Sequence, residues 1–344
     1  MKRTLNILMT TLLILTGCQD KPSLDPVPGP SETYPIQFGI SADLEVESKA
    51  TLIEGDTFDE NGSLVKKGNY EDFGFIALGG LTVEPGKYSV FEANTVVSHG
   101  THGWTYSPIR FWQPGSYVFA GVMPSPSTEA ESSYKYTASI DENNHNKITL
   151  TFGGNGFDLA SNPHDLMVAF TTPKEVVKVS EATDVLLNFS HQLALVNIEV
   201  QTGSTPMDIV VNNIKIYGNH KIATAATFSN TDSGNDTTIA AEWTLDSKTT
   251  DTDYYHRVKD ANKIENLLVF PEYGSDKLSV AITYKESYGS SSFSKTKYGT
   301  IDINWQAGKI YTYKTVLTSE SIVFGVPTVT DWDNAGDADD IPGM

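Results

Sequence analysis

The sequence predicts an all-β protein made of β-sandwich domains, two of them in tandem. Three observations carry this. Apolar runs of about five to ten residues, the length of ordinary strands, are separated by clusters of turn formers. Thr, Ser, Tyr, Val and Gly are plentiful, whereas long Leu/Ala/Glu/Lys runs of the kind that make helices are missing. The length, 344 residues, suffices for two ordinary domains, and no fixed-period repeat suggests a solenoid or propeller. A polar bridge over residues 172–184 marks the boundary, so the domains are expected at 35–178 and 179–344.

The first twenty residues, "MKRTLNILMTTLLILTGCQD", belong to neither domain. Lys2 and Arg3 form a basic start, and residues 5–15 an apolar stretch too short to span a bilayer comfortably. "LTGC" follows, and small residues directly before a Cys resemble the bacterial lipobox. On that reading residues 1–17 are a lipoprotein signal peptide, cut between Gly17 and Cys18. Cys18, the only cysteine, is then the lipidation site, and each buried CH₂ of its acyl chains adds about 0.8 kcal/mol of anchoring. Residues 18–34, rich in Pro and in acidic or small residues, read as a lipidated tether. The expected location is the cell surface, on a lipid-anchored precursor.

Residues 34–49 open the body. Ile36, Phe38, Ile40, Ala42, Leu44 and Val46 share one parity, while Gln37, Ser41, Asp43, Glu45 and Glu47 take the other. That is a half-buried strand, and it stops at Lys49, the only basic residue between Lys21 and Lys66. Farther on, "FGFIALGGL" is apolar, and "WTYSPIRFWQPGSYVFAGVMPSP" packs Trp104, Tyr106, Phe111, Trp112, Tyr117 and Phe119 around a Gln113-Pro114-Gly115 turn that suggests two adjoining strands. Residues 134–152 read as a hairpin, and 165–171 as a buried strand. In "VLLNFSHQLALVNIEV" the apolar parity switches after Leu195, which suggests a bulge or burial on both faces. Leu278, Val280, Ile282 and Tyr284 alternate cleanly. The chain closes with strands at 310–317 and 322–332, the latter carrying Ile322, Phe324, Val326 and Trp332 on one parity.

The search for chemistry excludes more than it finds. With 43 acidic against 24 basic residues the net charge is −19, which repels nucleic acid and anionic headgroups. His99-x-x-His102 lacks a third ligand nearby and reads as two solvated loop histidines. His191 lies on the apolar parity of its strand, as a hydrogen-bonded core histidine does. "DWDNAGDAD" fails as a calcium loop, because Ala335 and Pro342 stand where ligands are needed. No nucleophile elbow, P-loop or zinc-protease motif is present. No catalytic residue, metal site or cofactor is therefore expected. Exposed aromatics around Trp104, Phe111 and Trp112 would suit a surface lipoprotein that captures glycan, although the same rings suit a core better.

Four segments in order resemble the fimbrillin-like family, the major and minor pilins of type V pili in Gram-negative anaerobes. They are the lipobox with its tether and opening strand; "WTYSPIRFWQPGSYVFAGVMP"; "DLMVAFTTP" with "VLLNFSHQLALVNIEV"; and "INWQAGKIYTYKTVLTSESIVFGVPTVTDW". The resemblance implies two transthyretin-like β-sandwich domains and an outer-membrane lipoprotein precursor. It implies a protease cutting between Lys49 and Ala50, where the family favours Arg, and loss of the first strand. A strand from the next subunit would then fill the groove, with residues 322–332 the candidate donor. The implied partners are other fimbrillin-like subunits, the outer membrane through Cys18, and a surface receptor. Asp236-Thr237-Thr238 resembles a short O-glycosylation acceptor of such bacteria.

Overall fold

A computed structural model describes residues 33–40, 57–58, 64–66, 74–84, 87–88, 91–101, 103–126, 135–141, 144, 146–159, 164–203, 208–217, 221–231, 239–247, 255–257, 263–271 and 277–332. Gly17, Cys18, Lys49, Ala50, His102, residues 236–238 and the acidic tail beyond Trp332 lie outside them. The strands all belong to the compact unit Tyr34–Met344. Among the described residues the only helical element is one 3₁₀ turn, Val179–Glu181, and no helix is long and apolar enough to cross a membrane.

The N-terminal half is organised around the strand Gly115–Met123. It is apolar on both parities because both of its faces are covered. Tyr117, Phe119 and Met123 enter one core cluster, and Ala120 and Val122 enter another. The strand pairs antiparallel with Phe75–Glu84 on one side and with Met167–Phe170 and then Lys174–Val176 on the other; Phe91–Gly100, Gly103–Thr105, Ser190–His191 and Lys87–Tyr88 complete the eight-stranded sheet. Gly79 explains the paired glycines of "FIALGGL". Its φ is +88°, and a Cβ there would lie 2.2 Å from the Val118 carbonyl oxygen. A four-stranded sheet covers the second face. It holds the expected hairpin, Tyr136–Ile140 with Lys147–Phe152, and a second one, Lys221–Asn230 with Ile239–Ser247.

The Gln113-Pro114-Gly115 turn does not join two neighbouring strands as expected. Gly103–Thr105 pairs with Phe91–Gly100, and residues 110–112 bond instead to the start of the body. The parity switch after Leu195 has both expected causes: Leu195 and Val196 are buried in different core clusters on opposite faces of one strand, and the pairing with Lys263–Val269 is irregular between Val196 and Ile198. The run breaks into Val185–Leu187, Ser190–His191 and Ala194–Thr202, each in a different sheet. The odd-numbered residues stay buried from Val185 to Leu195 across these three strands.

In the C-terminal half one sheet orders Lys263–Val269, Ala194–Thr202 and Lys309–Leu317, with Ile322–Phe324 and Thr328–Asp331 both paired to the outer edge of Lys309–Leu317. The facing sheet orders Tyr255–Arg257, Asp208–Tyr217, Lys277–Tyr288 and Ser291–Asp302. Val196, Ile198, Tyr313 and Leu317 meet Ile214, Val280 and Ile282 between them. Each such side chain contributes about 1.5–3 kcal/mol of gross burial.

Among the described residues strand pairings cross residue 178 in three places, and an isolated bridge joins Phe157 to Ala223. Lys147–Phe152 pairs with Lys221–Asn230, Met167–Phe170 with Ser190–His191, and Phe38–Ile40 with Val185–Leu187. The two halves of the chain are interlocked rather than strung in series.

Candidate functional site

The opening strand follows its sequence pattern as far as it is described. Ile36 and Phe38 are buried, Ile40 is half-buried against the same cluster, and Gln37 is exposed. It runs between two partners. At its start, Ile36 N–H donates to the Arg110 carbonyl at 2.9 Å, and Trp112 N–H donates to the Tyr34 carbonyl at 2.8 Å. At its end, Phe38–Ile40 pairs in parallel with Val185–Leu187, and Val185 N–H donates to the Gln37 carbonyl at 2.8 Å. Strand residues bond to alternate sides, so a seven-residue segment holds two neighbours together.

Phe38 sits in an aromatic box. Phe75, Phe91, Tyr106 and Phe119 surround it with centroids at 5.7, 5.4, 5.7 and 5.7 Å, all edge-on. Each edge-on pair adds about 0.5–1.5 kcal/mol to simple burial. Tyr106 also clasps the strand's backbone. Its phenol donates to the Ile36 carbonyl at 2.8 Å and accepts the Arg110 N–H at 3.2 Å. Burial pushes this phenol above its ordinary value, which keeps it a donor. Beside the strand lies a cavity of about 430 Å³. Trp112, Phe119 and Val185 wall it, and Lys174 stands over the Trp112 ring at 5.4 Å.

The candidate donor segment lies in its own sheet. Ile322 and Phe324 are half-buried against the C-terminal core, and Val326 is 94 % exposed. Pairing with Lys309–Leu317 breaks at residues 325–327, around Pro327, and resumes at Thr328–Asp331, where all four residues are exposed. Trp332 is the exception, with no exposed surface. Its indole stacks on the His191 imidazole at 4.1 Å and 5°. The His191 Nδ1 meets the Asp165 carboxylate at 2.6 Å, with both side chains almost fully buried. His191 is thus the hydrogen-bonded core histidine that its parity suggested. Its partner, Asp165, carried no signal in the sequence. Backbone bonds run through the same point: Trp332 N–H to the Gly308 carbonyl, Gly308 N–H to that of Leu193, and Gln192 N–H to that of Leu166.

The aromatics considered as a glycan platform are mostly spent elsewhere. Trp112 is 5 % exposed and packs on Tyr117 and Phe119. Trp104 packs on Phe75 and His99, leaving Phe111 as the exposed ring. No group of three or more metal-ligating side chains occurs among the described residues.

The sequence model of one family, described as fimbrillin-like, matches residues 67–332. No curated protein sequence matches the chain. Solved structures similar to it include one from Bacteroides uniformis assigned to cell adhesion, at 14% identity and a TM-score of 0.47, covering 87% of this chain and 99% of that one. The fimbrial anchor protein Mfa2 of Porphyromonas gingivalis aligns at 9% identity and a TM-score of 0.35, covering 87% of this chain and 97% of its own. The tip fimbrial protein Mfa3 of the same organism aligns at 12% identity and a TM-score of 0.38, covering 76% and 96%. The family match spans most of the body and three of the four segments that resembled it, so the chain belongs to the fimbrillin-like family.

Proposed function

We propose that the chain is a structural, non-enzymatic subunit of a surface fimbrium that supports adhesion, assembled with other fimbrillin-like subunits by strand exchange. It is exported as a lipoprotein acylated at Cys18, after cleavage behind Gly17, and reaches the outer membrane in that form. The first strand is a placeholder, cut away between Lys49 and Ala50, and a strand containing Ile322, Phe324, Val326 and Trp332 from another subunit takes its seat. Membership of the fimbrillin-like family supports the role. The two-sandwich division near residue 178 is part of this reading; one core cluster, which joins Ile76 and Phe170 to Leu195, Phe228 and Trp332, spans it.

One observation carries the strand-exchange reading. Ile36 and Phe38 fill an aromatic groove from a short segment near the end of the chain, bonded on both sides. Losing it would bare Phe75, Phe91 and Phe119 and leave two backbone rows unpaired, a strong drive to accept another strand. The test is limited trypsin digestion of the purified chain, followed by N-terminal sequencing and gel filtration. Cleavage after Lys49 with a ladder of oligomers is expected. A chain cut at Lys49 that stays monomeric would end the strand-exchange reading, and a Lys49 resistant to protease would end the proposed trigger.

A further inference from the structure

We propose that the tip of the C-terminal hairpin is a sugar-binding ledge that takes a neutral pyranose. It lies in a different sheet from the first strand and does not depend on strand exchange. Lys277–Tyr288 and Ser291–Asp302 pair along their whole length, from Lys277↔Asp302 to Tyr288↔Ser291. One face of this hairpin belongs to the core, through Val280, Ile282, Tyr284 and Ile301. The same face continues outward through Glu286 and Tyr288 on one strand, and Lys295, Phe293 and Ser291 on the other. The opposite sheet ends first. Lys297 donates to the Ser319 carbonyl at 2.8 Å, in the turn that follows Lys309–Leu317. Beyond that point the face overhangs, and Tyr288 and Phe293 are 69% and 62% exposed on the parity that elsewhere makes core.

Between the rings lies an unusual carboxylate. Glu286 is 2% exposed, directly opposite Phe293 and beside Ile209. Its Oε2 accepts from the Lys295 ammonium, while Oε1 takes no hydrogen bond from any described residue. One row inward the Tyr284 hydroxyl is also buried with no described partner. Two orphaned polar groups in adjacent rows are costly in a structure with no further role for them.

The chemistry selects the ligand. Two exposed rings offer apolar surface to the C–H face of a sugar, and the half-exposed Lys295, held in place by the buried Glu286 carboxylate, donates to hydroxyl or ring oxygens. Anionic ligands are disfavoured by Glu286 and by the −19 charge of the chain. A cation would meet a single carboxylate already paired with a lysine. A partner strand would add to the edge of Ser291–Asp302 rather than to its face.

The test is saturation-transfer NMR of the full chain with a panel of methyl glycosides: galactoside, glucoside, mannoside, fucoside and N-acetylglucosaminide. At least one should receive saturation. Tyr288→Ala and Phe293→Ala should each weaken it by at least about tenfold. Glu286→Gln should weaken it too, with circular dichroism unchanged. Tyr298→Ala, on the opposite face of the same strand and 68% exposed, should leave binding as it was. The proposal is overturned if no glycoside receives saturation, or if signal persists in Tyr288→Ala and Phe293→Ala. It is equally overturned if those two variants change only the mass of the protein in sedimentation, which would make the ledge a contact between copies.

Discussion

Trp332 shows how much one side chain decides in this molecule. The ten residues before it are exposed or half-buried on a sheet edge, yet its indole lies wholly inside, flat against His191. Trp332→Ala should cost about 3–5 kcal/mol in denaturant unfolding, the usual range for emptying a large aromatic site. If residues 322–332 are the donor, the same variant should also assemble faster after cleavage, because withdrawing the strand no longer exposes the indole. Asp165→Ala should cost about 3 kcal/mol by leaving His191 without its carboxylate. The parity of residues 185–195 made His191 legible as core, but pairing it with Asp165 and Trp332 needs three segments distant in sequence. Only the folded chain brings those together.

Tyrosines set the alkaline limit at the same scale. Burial pushes the Tyr136 phenol well above its ordinary value, and its hydroxyl donates to the Pro124 carbonyl at 2.7 Å. A folded-state value above the unfolded one means the folded chain holds its proton longer. The stability this group confers is intact below about pH 10 and is lost as pH rises beyond that. Tyr136→Phe should lower stability near neutrality by about 1 kcal/mol and make the loss between about pH 10 and pH 11 shallower. Denaturant midpoints across that range would show it.

Among elements, the first strand was legible from its alternation, and the second strand of the long hairpin was not. Regular alternation over residues 36–46 identified a strand, and Ile36 and Phe38 are buried as the pattern required; Ala42, Leu44 and Val46 lie outside the described residues. Its neighbours could not be read, since residues 110–112 and Val185–Leu187 reach it from far along the chain. Phe38→Ala should cost about 3–5 kcal/mol and loosen the strand, seen as faster hydrogen exchange at Ile36. Tyr106→Phe removes the clasp on the Ile36 carbonyl together with the acceptor of the Arg110 N–H and should cost about 1–2 kcal/mol. In contrast, Ser291–Asp302 is rich in Ser, Thr and Lys because most of it faces water on both sides, so no apolar period announced it. The two-part ending at Ile322–Phe324 and Thr328–Asp331 was read as one strand for the opposite reason. Its shared parity runs through Val326, which projects into solvent beside Pro327.

At the scale of the whole molecule, the all-β class follows from composition and patterning, and the interlocking of the halves does not. Lys221–Asn230 carries small residues such as Ala223, Ala225 and Ala226, and its place beside Lys147–Phe152 is a matter of tertiary packing. This crossing has a consequence for assembly. When the first strand leaves, Val185–Leu187 loses its one described strand partner and is held, like Trp112, by side chains in a shared core cluster. The fimbrial reading therefore rests on a groove that empties and refills without the fold dissolving. Hydrogen exchange at the Trp112 and Val185 amides tests this most directly, because in the intact chain they donate to the Tyr34 and Gln37 carbonyls of the first strand. Both should be protected in the intact chain, exposed in the trypsin-cut monomer, and protected again in the oligomer. Protection that persists in the cut monomer, or that never returns in the oligomer, would contradict the account.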